Sequence, residues 1–351
     1  MAAAVPEPSA VARGRAVLIV RNTQSGTAVI RADPGELIAE RLADADVREL
    51  GEGDDMAEIV DEAMRADAPP AVLGVYGGDG SVSRMAELAR KHDRPLLAMP
   101  GGTFNHFARS AGIVDVATAI DALERVSTVE VSAVEVTADE APPILALNAV
   151  SIGAYPELID ERDRRRAHLG KWLGGIVAAW VALRSAEPLT IVREGRRARV
   201  WSVFVGAGRS DPKRVATMQR EDLDDPTLDV RIHHARGTRM RAVASLAFGK
   251  RTAAVLRALK LMPPRSDVER LVVPEFAMTV RTEPGRPSVF VHDGELEEQT
   301  EGGFRLRCVV VPRAVTVYAP EGGAPPARCG ASSRCARPAT GVRQPLAQRP
   351  R

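Results

Sequence analysis

A chain of 351 residues is long enough for about two domains, each with its own core. Lysine plus arginine number 48 and aspartate plus glutamate 46, a net charge of +2, so the composition is neither that of a nucleic-acid-coating protein nor that of an acidic, solvating one. Hydrophobic residues at 45% exclude general disorder, three cysteines exclude a disulfide framework, and no CxxC or HExxH spacing offers a zinc site.

Residues 16–21 (AVLIVR) predict a buried strand, 36–43 a helix, 46–50 a short strand and 55–65 a helix. A strand at 71–76, a helix at 82–91, a strand at 95–99 and helices at 104–110 and 116–125 follow. Strands alternating with helices of this size make a parallel sheet covered by helices, and ligands of such sheets collect where the strands end. From residue 128 the pattern changes. Strands are predicted at 128–137 and 144–152, a long helix over 157–185, then strands at 191–193, 198–205, 228–233, 271–273, 277–281, 288–292 and 304–311. The fold class is therefore α/β plus mainly-β: a parallel α/β domain over 15–127, completed by a returning strand at 314–319, and a β-rich, sandwich-like domain over 128–313. Residues 1–14 are expected to be flexible, and the Arg/Pro/Ala-rich end from 321 to 351 lacks the apolar side chains needed to offset ordering, so it is expected to be disordered.

Three loops carry the chemistry, and all follow strands of the first domain. Gly77-Gly78-Asp79-Gly80-Ser81 precedes a helix; glycines let the backbone come close to a ligand and a helix N-terminus offers free amides, so phosphate is its natural guest. Asp79 approaches a phosphate only with a cation such as Mg²⁺ between them. The same residues also suit a tight turn with Asp79 or Ser81 capping the helix. The loop is neither GxxxxGK[ST] nor GxGxxG, since Ser83 stands where the third glycine would be. Pro100-Gly101-Gly102-Thr103-Phe104-Asn105 follows the next strand, and Asn22-Thr23-Gln24-Ser25-Gly26 the first. Taken singly, Thr103 and Asn105 suit helix capping and Asn22 a turn.

GGDGS followed by PGGTFNHFAR, with an NxxSG loop before them, resembles the diacylglycerol kinase catalytic-domain family, in particular its soluble bacterial lipid kinases related to sphingosine kinases. The order of motifs fits from about residue 15 to residue 320. The resemblance implies an ATP site in a cleft between the two domains, with lipid entering from the second. Asn22, Ser25, Gly26, Gly77, Gly78, Asp79, Gly80, Ser81, Gly102 and Thr103 would surround the nucleotide phosphates and Asn105 would brace the loop. The family's late DGE motif matches Asp293-Gly294-Glu295, which makes Asp293 or Glu295 the base that accepts the acceptor's hydroxyl proton. Without the family, Asp-Gly between two strands is a hairpin turn. The segment 222–230 is similar to the family's DDGxLDV, implying a structural Mg²⁺ on the Asp225 carboxylate and the carbonyls of Asp222 and Thr227. Pro226 stands where the family has glycine and fixes φ, and a solvated acidic turn is the alternative. A second departure is Gly51-Glu52-Gly53, where the family has a threonine near the nucleotide.

Charge is unevenly distributed. Residues 230–262 hold eight basic side chains and no acidic one, interleaved with Val243, Leu246, Phe248, Val255, Leu256 and Leu259. Attraction to an anionic leaflet is worth about 1 kcal/mol per nearby basic residue, so this stretch suits transient membrane contact, as do Trp172 and Trp180 after the arginines of 162–166. A solvated helix face and ordinary core packing are the alternatives. The expectation is a cytoplasmic, peripherally membrane-associated lipid kinase that uses ATP and Mg²⁺, acts on diacylglycerol or a related lipid alcohol and has no nucleic-acid partner. The alternatives are an NAD or sugar-phosphate kinase sharing the GGDG loop, or an inactive nucleotide- or lipid-binding regulator. Nothing in the sequence speaks to oligomeric state.

Overall fold

The computed structural model describes residues 5–22, 34–51, 53–102, 105–153, 188–210, 220, 222–235, 268–283 and 288–321. Outside them lie the helix expected at 157–185 with Trp172 and Trp180, the basic stretch from 236 onward, the end of the chain from 322, and three expected phosphate contacts, Ser25, Gly26 and Thr103.

The first half is built on four parallel strands: β1 (Val17–Asn22), β2 (Asp46–Leu50), β3 (Val72–Gly77) and β4 (Leu96–Pro100), ordered β4-β3-β1-β2. The Val17-Leu18-Ile19-Val20 run is at most 2% exposed, as expected of a strand covered on both faces. Helices α1 (Pro34–Arg41), α2 (Met56–Met64), α3 (Asp79–Lys91), α4 (His106–Ser110) and α5 (Val116–Glu124) connect and cover them. Their starts are legible: Asp55 caps α2 by accepting the Ala57 amide and Asp115 caps α5 by accepting that of Thr118. Helix α3 begins three residues earlier than its apolar pattern suggests, so Asp79, Gly80 and Ser81 form its first turn and Gly78 is its N-cap without a side-chain cap bond.

The second half is β-rich: β5 (Thr128–Ala138), β6 (Ile144–Ala146), β7 (Ala149–Gly153), β8 (Leu189–Arg193), β9 (Arg196–Ala207), β10 (Leu228–His234), β11 (Val268–Val273), β12 (Glu275–Arg281), β13 (Ser288–His292), β14 (Glu295–Gln299) and β15 (Phe304–Tyr318). Two strands expected separately, at 304–311 and 314–319, are one. Strand β15 stays paired with β5 on both sides of a register shift between Val311 and Val315, where Pro312 has no amide to give and Arg313 has φ of 49°. Conversely, the strand expected over 144–152 is two, interrupted at Leu147 and Asn148. Strand β14 was not expected at all: its sequence, Glu-Leu-Glu-Glu-Gln, is acidic and largely exposed, and it is held by pairing with β13 at the end of the sheet path.

Strand β15 joins the halves. Val317 pairs parallel with Leu96 in β4, while residues 304–309 pair antiparallel with β12, so the hydrogen-bonded path runs unbroken from one half to the other. Its side chains enter two separate cores: Val315, Val317 and Tyr318 pack with the α/β half, Leu306, Cys308 and Val310 with the β half. This junction holds the glycine loops against the loops of the second half.

Candidate active site

Strands β1, β3 and β4 are neighbours and parallel, so their carboxyl ends lie side by side, with Asn22 beside the described residues of the two glycine loops. The Gly101 amide donates to the Gly77 carbonyl at 2.8 Å, and Asn22 Nδ2 donates to Ser81 Oγ at 2.9 Å. Asn105, at φ 50°, clasps Gly102 from both sides: its Oδ1 accepts the Gly102 amide at 3.0 Å and its Nδ2 donates to the Gly102 carbonyl at 2.8 Å. A Cβ on Gly102 would lie 2.6 Å from the Cα of Gly78, so the two loops approach as only glycine permits. The structure therefore brings together Asn22, Gly77, Gly78, Asp79, Gly80, Ser81, Gly102 and Asn105.

Asp79 does not cap its own helix. It caps the next one, its two oxygens accepting the His106 and Phe107 amides at 3.1 Å each, and so bolts the first turn of α3 to the start of α4. Burial raises its carboxyl above the usual range. The His106 charge and the two amides oppose that rise, and the negative charge of Asp293 adds to it.

Asp293 and Gly294 form the two-residue turn between β13 and β14, with φ of 46° and 95°, as a tight Asp-Gly hairpin requires. The turn also reaches helix α3 at Ser83 and Gly80. The Asp293 carboxylate accepts four donors: the Leu147, Asn148 and Ala149 amides at 2.6, 2.8 and 3.0 Å, and the Ser83 hydroxyl of α3. These bonds explain the break between β6 and β7, because amides turned toward Asp293 cannot also serve a ladder. Glu295 has the opposite character. It is exposed, its carboxylate accepts no hydrogen bond among the described residues, and it rests on the Cα of Gly80. A cleft of about 370 Å³ opens beside it. It is lined by the apolar stretch from Pro142 to Leu145 and by the polar side chains of Ser83, Arg84, Glu87, His292, Glu295 and Glu297. His292 is 7% exposed, its Nε2 is 3.1 Å from Glu297 Oε1, and its Nδ1 is buried without a hydrogen-bond partner.

The acidic turn at 222–227 lies between β9 and β10. Asp225, 5% exposed, accepts the Arg209 amide at 3.0 Å and Arg209 Nε at 2.8 Å on one oxygen and the Thr227 hydroxyl at 2.7 Å on the other. The Thr227 carbonyl, an expected metal ligand, accepts the Gly208 amide at 2.8 Å, and a Cβ on Gly208 would be 3.2 Å from the Asp222 carbonyl oxygen. This donor set does not fit Mg²⁺, because a guanidinium already stands on the carboxylate that would have to bind it. Among the described residues no group of three or more His, Cys, Asp or Glu is placed to hold a metal ion. Ser83, Arg209 and Arg220 went unread in the sequence. Ser83 drew notice only as a missing glycine, and the two arginines flank a segment with no local signal that pairs them with Asp225 or Asp293.

A parallel α/β half whose strands end in interlocked glycine loops, joined by one long strand to a β-rich half, is the fold of solved bacterial diacylglycerol kinases. One from Bacillus anthracis str. Sterne is 17% identical with a TM-score of 0.54, covering 88% of this chain and 97% of that one. A second structure from the same organism gives a TM-score of 0.56 at 18% identity, covering 88% and 98%. At these identities the likeness is one of fold. The sequence comparison is more particular: residues 16–137 match the model of the diacylglycerol kinase catalytic domain, which bears out the resemblance carried by GGDGS and PGGTFNHFAR. A protein of Xanthomonas oryzae pv. oryzae named probable lipid kinase YegS-like is 27% identical over 310 residues, 83% of this chain and 92% of that protein. A protein of the same name from Pseudomonas aeruginosa is 38% identical over 105 residues, 29% of this chain, and that match spans only 33% of the relative's length.

Proposed function

We propose that the chain is an ATP-dependent phosphotransferase that moves the γ-phosphoryl group to the hydroxyl of a lipid alcohol, diacylglycerol or a close relative. The observation that carries this reading is the meeting of two features from opposite halves: the interlocked glycine loops and, resting on Gly80, the Glu295 carboxylate beside an apolar-walled cleft. Phosphoryl transfer asks for positioning and charge neutralisation rather than covalent help from the protein. In this reading Gly77, Gly78 and the first turn of α3 present amides to the phosphates, Gly102 lets the loops come close, and Asn22, Ser81 and Asn105 fix their geometry. Bound together with the nucleotide, Mg²⁺ would neutralise the phosphate charge. Ser25, Gly26 and Thr103 belong to the same phosphate-binding set.

Glu295 is the base in this proposal, because a group that takes a proton needs an unoccupied oxygen. Asp293, with four donors on its carboxylate, is a positioning residue that locks the hairpin to Ser83 and thereby sets Glu295 over the loop. Lipid acceptors are favoured by the apolar wall at 142–145 and by the names of the relatives. Among the described residues no helix is long and apolar enough to cross a membrane, so the lipid would be met at a surface, with the basic stretch at 230–262 as the proposed contact.

The test is transfer of labelled γ-phosphate to a panel of acceptors in mixed micelles: diacylglycerol, other lipid alcohols, NAD and sugar phosphates. Labelling of lipid alone is expected. Labelling of NAD or a sugar phosphate alone would overturn the acceptor assignment, and ATP binding with no transfer to anything would overturn the activity.

A further inference from the structure

The acidic turn is more than a loop of the β half. Leu223 is buried in the core of the α/β half, its carbonyl accepts the Ser132 amide at 2.8 Å, and the Ser132 hydroxyl donates to the Asp224 carbonyl at 3.0 Å. The turn is thus a latch that pins the β9-β10 connection onto β5, close to where the two cores adjoin. The buried Asp225 carboxylate in this latch calls for a positive partner, and the sequence motif alone suggests that a divalent cation supplies it.

The geometry supplies that charge from within the chain. Arg209 reaches Asp225 through both its backbone amide and its Nε, while 59% of its side chain is left exposed against 4% for Asp225. Arg220, 8% exposed, donates Nη1 to the Ser132 carbonyl at 2.7 Å and interacts electrostatically with Asp293 and Asp225. The Arg209 guanidinium therefore stands on the carboxylate that a divalent cation would use, and Arg220 ties the turn to β5 through the Ser132 carbonyl. Pro226 removes the freedom of φ a metal loop would use.

We propose that this turn is a metal-independent latch, in which the Arg209 guanidinium takes the place of a structural divalent cation on Asp225 while Arg220 ties the turn to β5, so that the two halves of the chain are held together. The consequence is a junction that closes without Mg²⁺ and withstands chelators, whatever the nucleotide site needs for turnover. The inference does not depend on which acceptor the protein phosphorylates.

Thermal unfolding of the full chain without nucleotide, in chelator and in millimolar Mg²⁺, tests it. Wild type is expected to melt at the same temperature in both. Arg209→Ala, which leaves Asp225 without its guanidinium, is expected to melt about 4 °C lower in chelator and to recover part of that loss with Mg²⁺. A purely structural role for Arg209 would lower the melting temperature without creating a response to metal, so a folded Arg209→Ala that is blind to Mg²⁺ overturns the equivalence of guanidinium and cation. A wild-type rise of about 3 °C in Mg²⁺ that Asp225→Asn removes overturns the proposal directly, and this pair decides the matter should Arg209→Ala not fold.

Discussion

Asp79 and Asp229 are both drawn out of solvent, yet the two halves of the molecule treat them in opposite ways. Asp79, in the α/β half, rests on two backbone amides of α4 and, among the described residues, has no arginine or lysine hydrogen-bonded to it. Asp229, in the β half, is fully buried and gripped by Arg270 through Nε at 2.7 Å and Nη2 at 3.0 Å, and by Arg231 at 2.8 Å. Asp225 is closed by Arg209 in the same manner. In the β half the chain brings its own cations to these carboxylates; around the glycine loops it brings amides. The hairpin at 293–295 sits on the border and shows a contrast within three residues: Asp293 is saturated with donors, and Glu295 has none among the described residues.

That border is where the largest effect is expected. If Glu295 takes the acceptor's proton, Glu295→Gln should lower turnover by about 10²- to 10⁴-fold while leaving ATP affinity unchanged, read by initial rates alongside nucleotide titration. Turnover within a fewfold of wild type would move the base to another group. Asp293→Asn should behave differently. An amide cannot accept from three backbone N–H groups and Ser83 at once, so about 3 kcal/mol of stability should be lost in urea unfolding, together with most turnover. A variant that is inactive yet as stable as wild type would return Asp293 to the chemistry itself.

The glycine loops come next. Gly102→Ala places a methyl group 2.6 Å from the Gly78 Cα, so the loops must part. The expected cost is about 1–3 kcal/mol, with ATP binding weakened more than lipid binding, measurable by isothermal titration. Equal weakening of both ligands would mean that the loops do not serve the nucleotide alone.

Much of the α/β half was legible in the sequence because its signals are local. A run such as Val17 to Val20 states its own burial, and Asp55 and Asp115 announce the helices they cap. The glycine loops were legible for the same reason, since backbone approach shows itself as glycine. What stayed hidden was long-range. Nothing near Ser83 points to Asp293, 210 positions away, and nothing near Leu147 shows that its amide is claimed by a carboxylate 146 positions later. Strand β14 was invisible because an exposed edge strand needs no apolar alternation, and the unity of β15 because Pro312 reads as a stop when it is in fact a bulge.

The smallest expected effect tests the contrast between the halves most directly, because their carboxylates shift in opposite directions. Burial alone would raise Asp229, but the hydrogen bonds from Arg270 and Arg231 outweigh it and hold the carboxyl below the usual range. Asp225 is held low in the same way, the bonds from Arg209 and Thr227 overcoming its burial. A carboxyl whose pKa falls on folding adds stability that is complete above its unfolded value and is lost as pH drops through the folded one. Asp79, raised chiefly by burial, has the opposite sign: its contribution is complete below the unfolded value and disappears as pH rises through the folded one. Urea unfolding followed from neutral pH down to about 3 should therefore show Asp229→Asn losing acid sensitivity below the ordinary carboxylate pKa, beneath the cost of the broken ion pair. Asp79→Asn should instead lose the opposing slope just above it. If both substitutions flattened the same limb of the curve, the two halves would be using their buried acids alike.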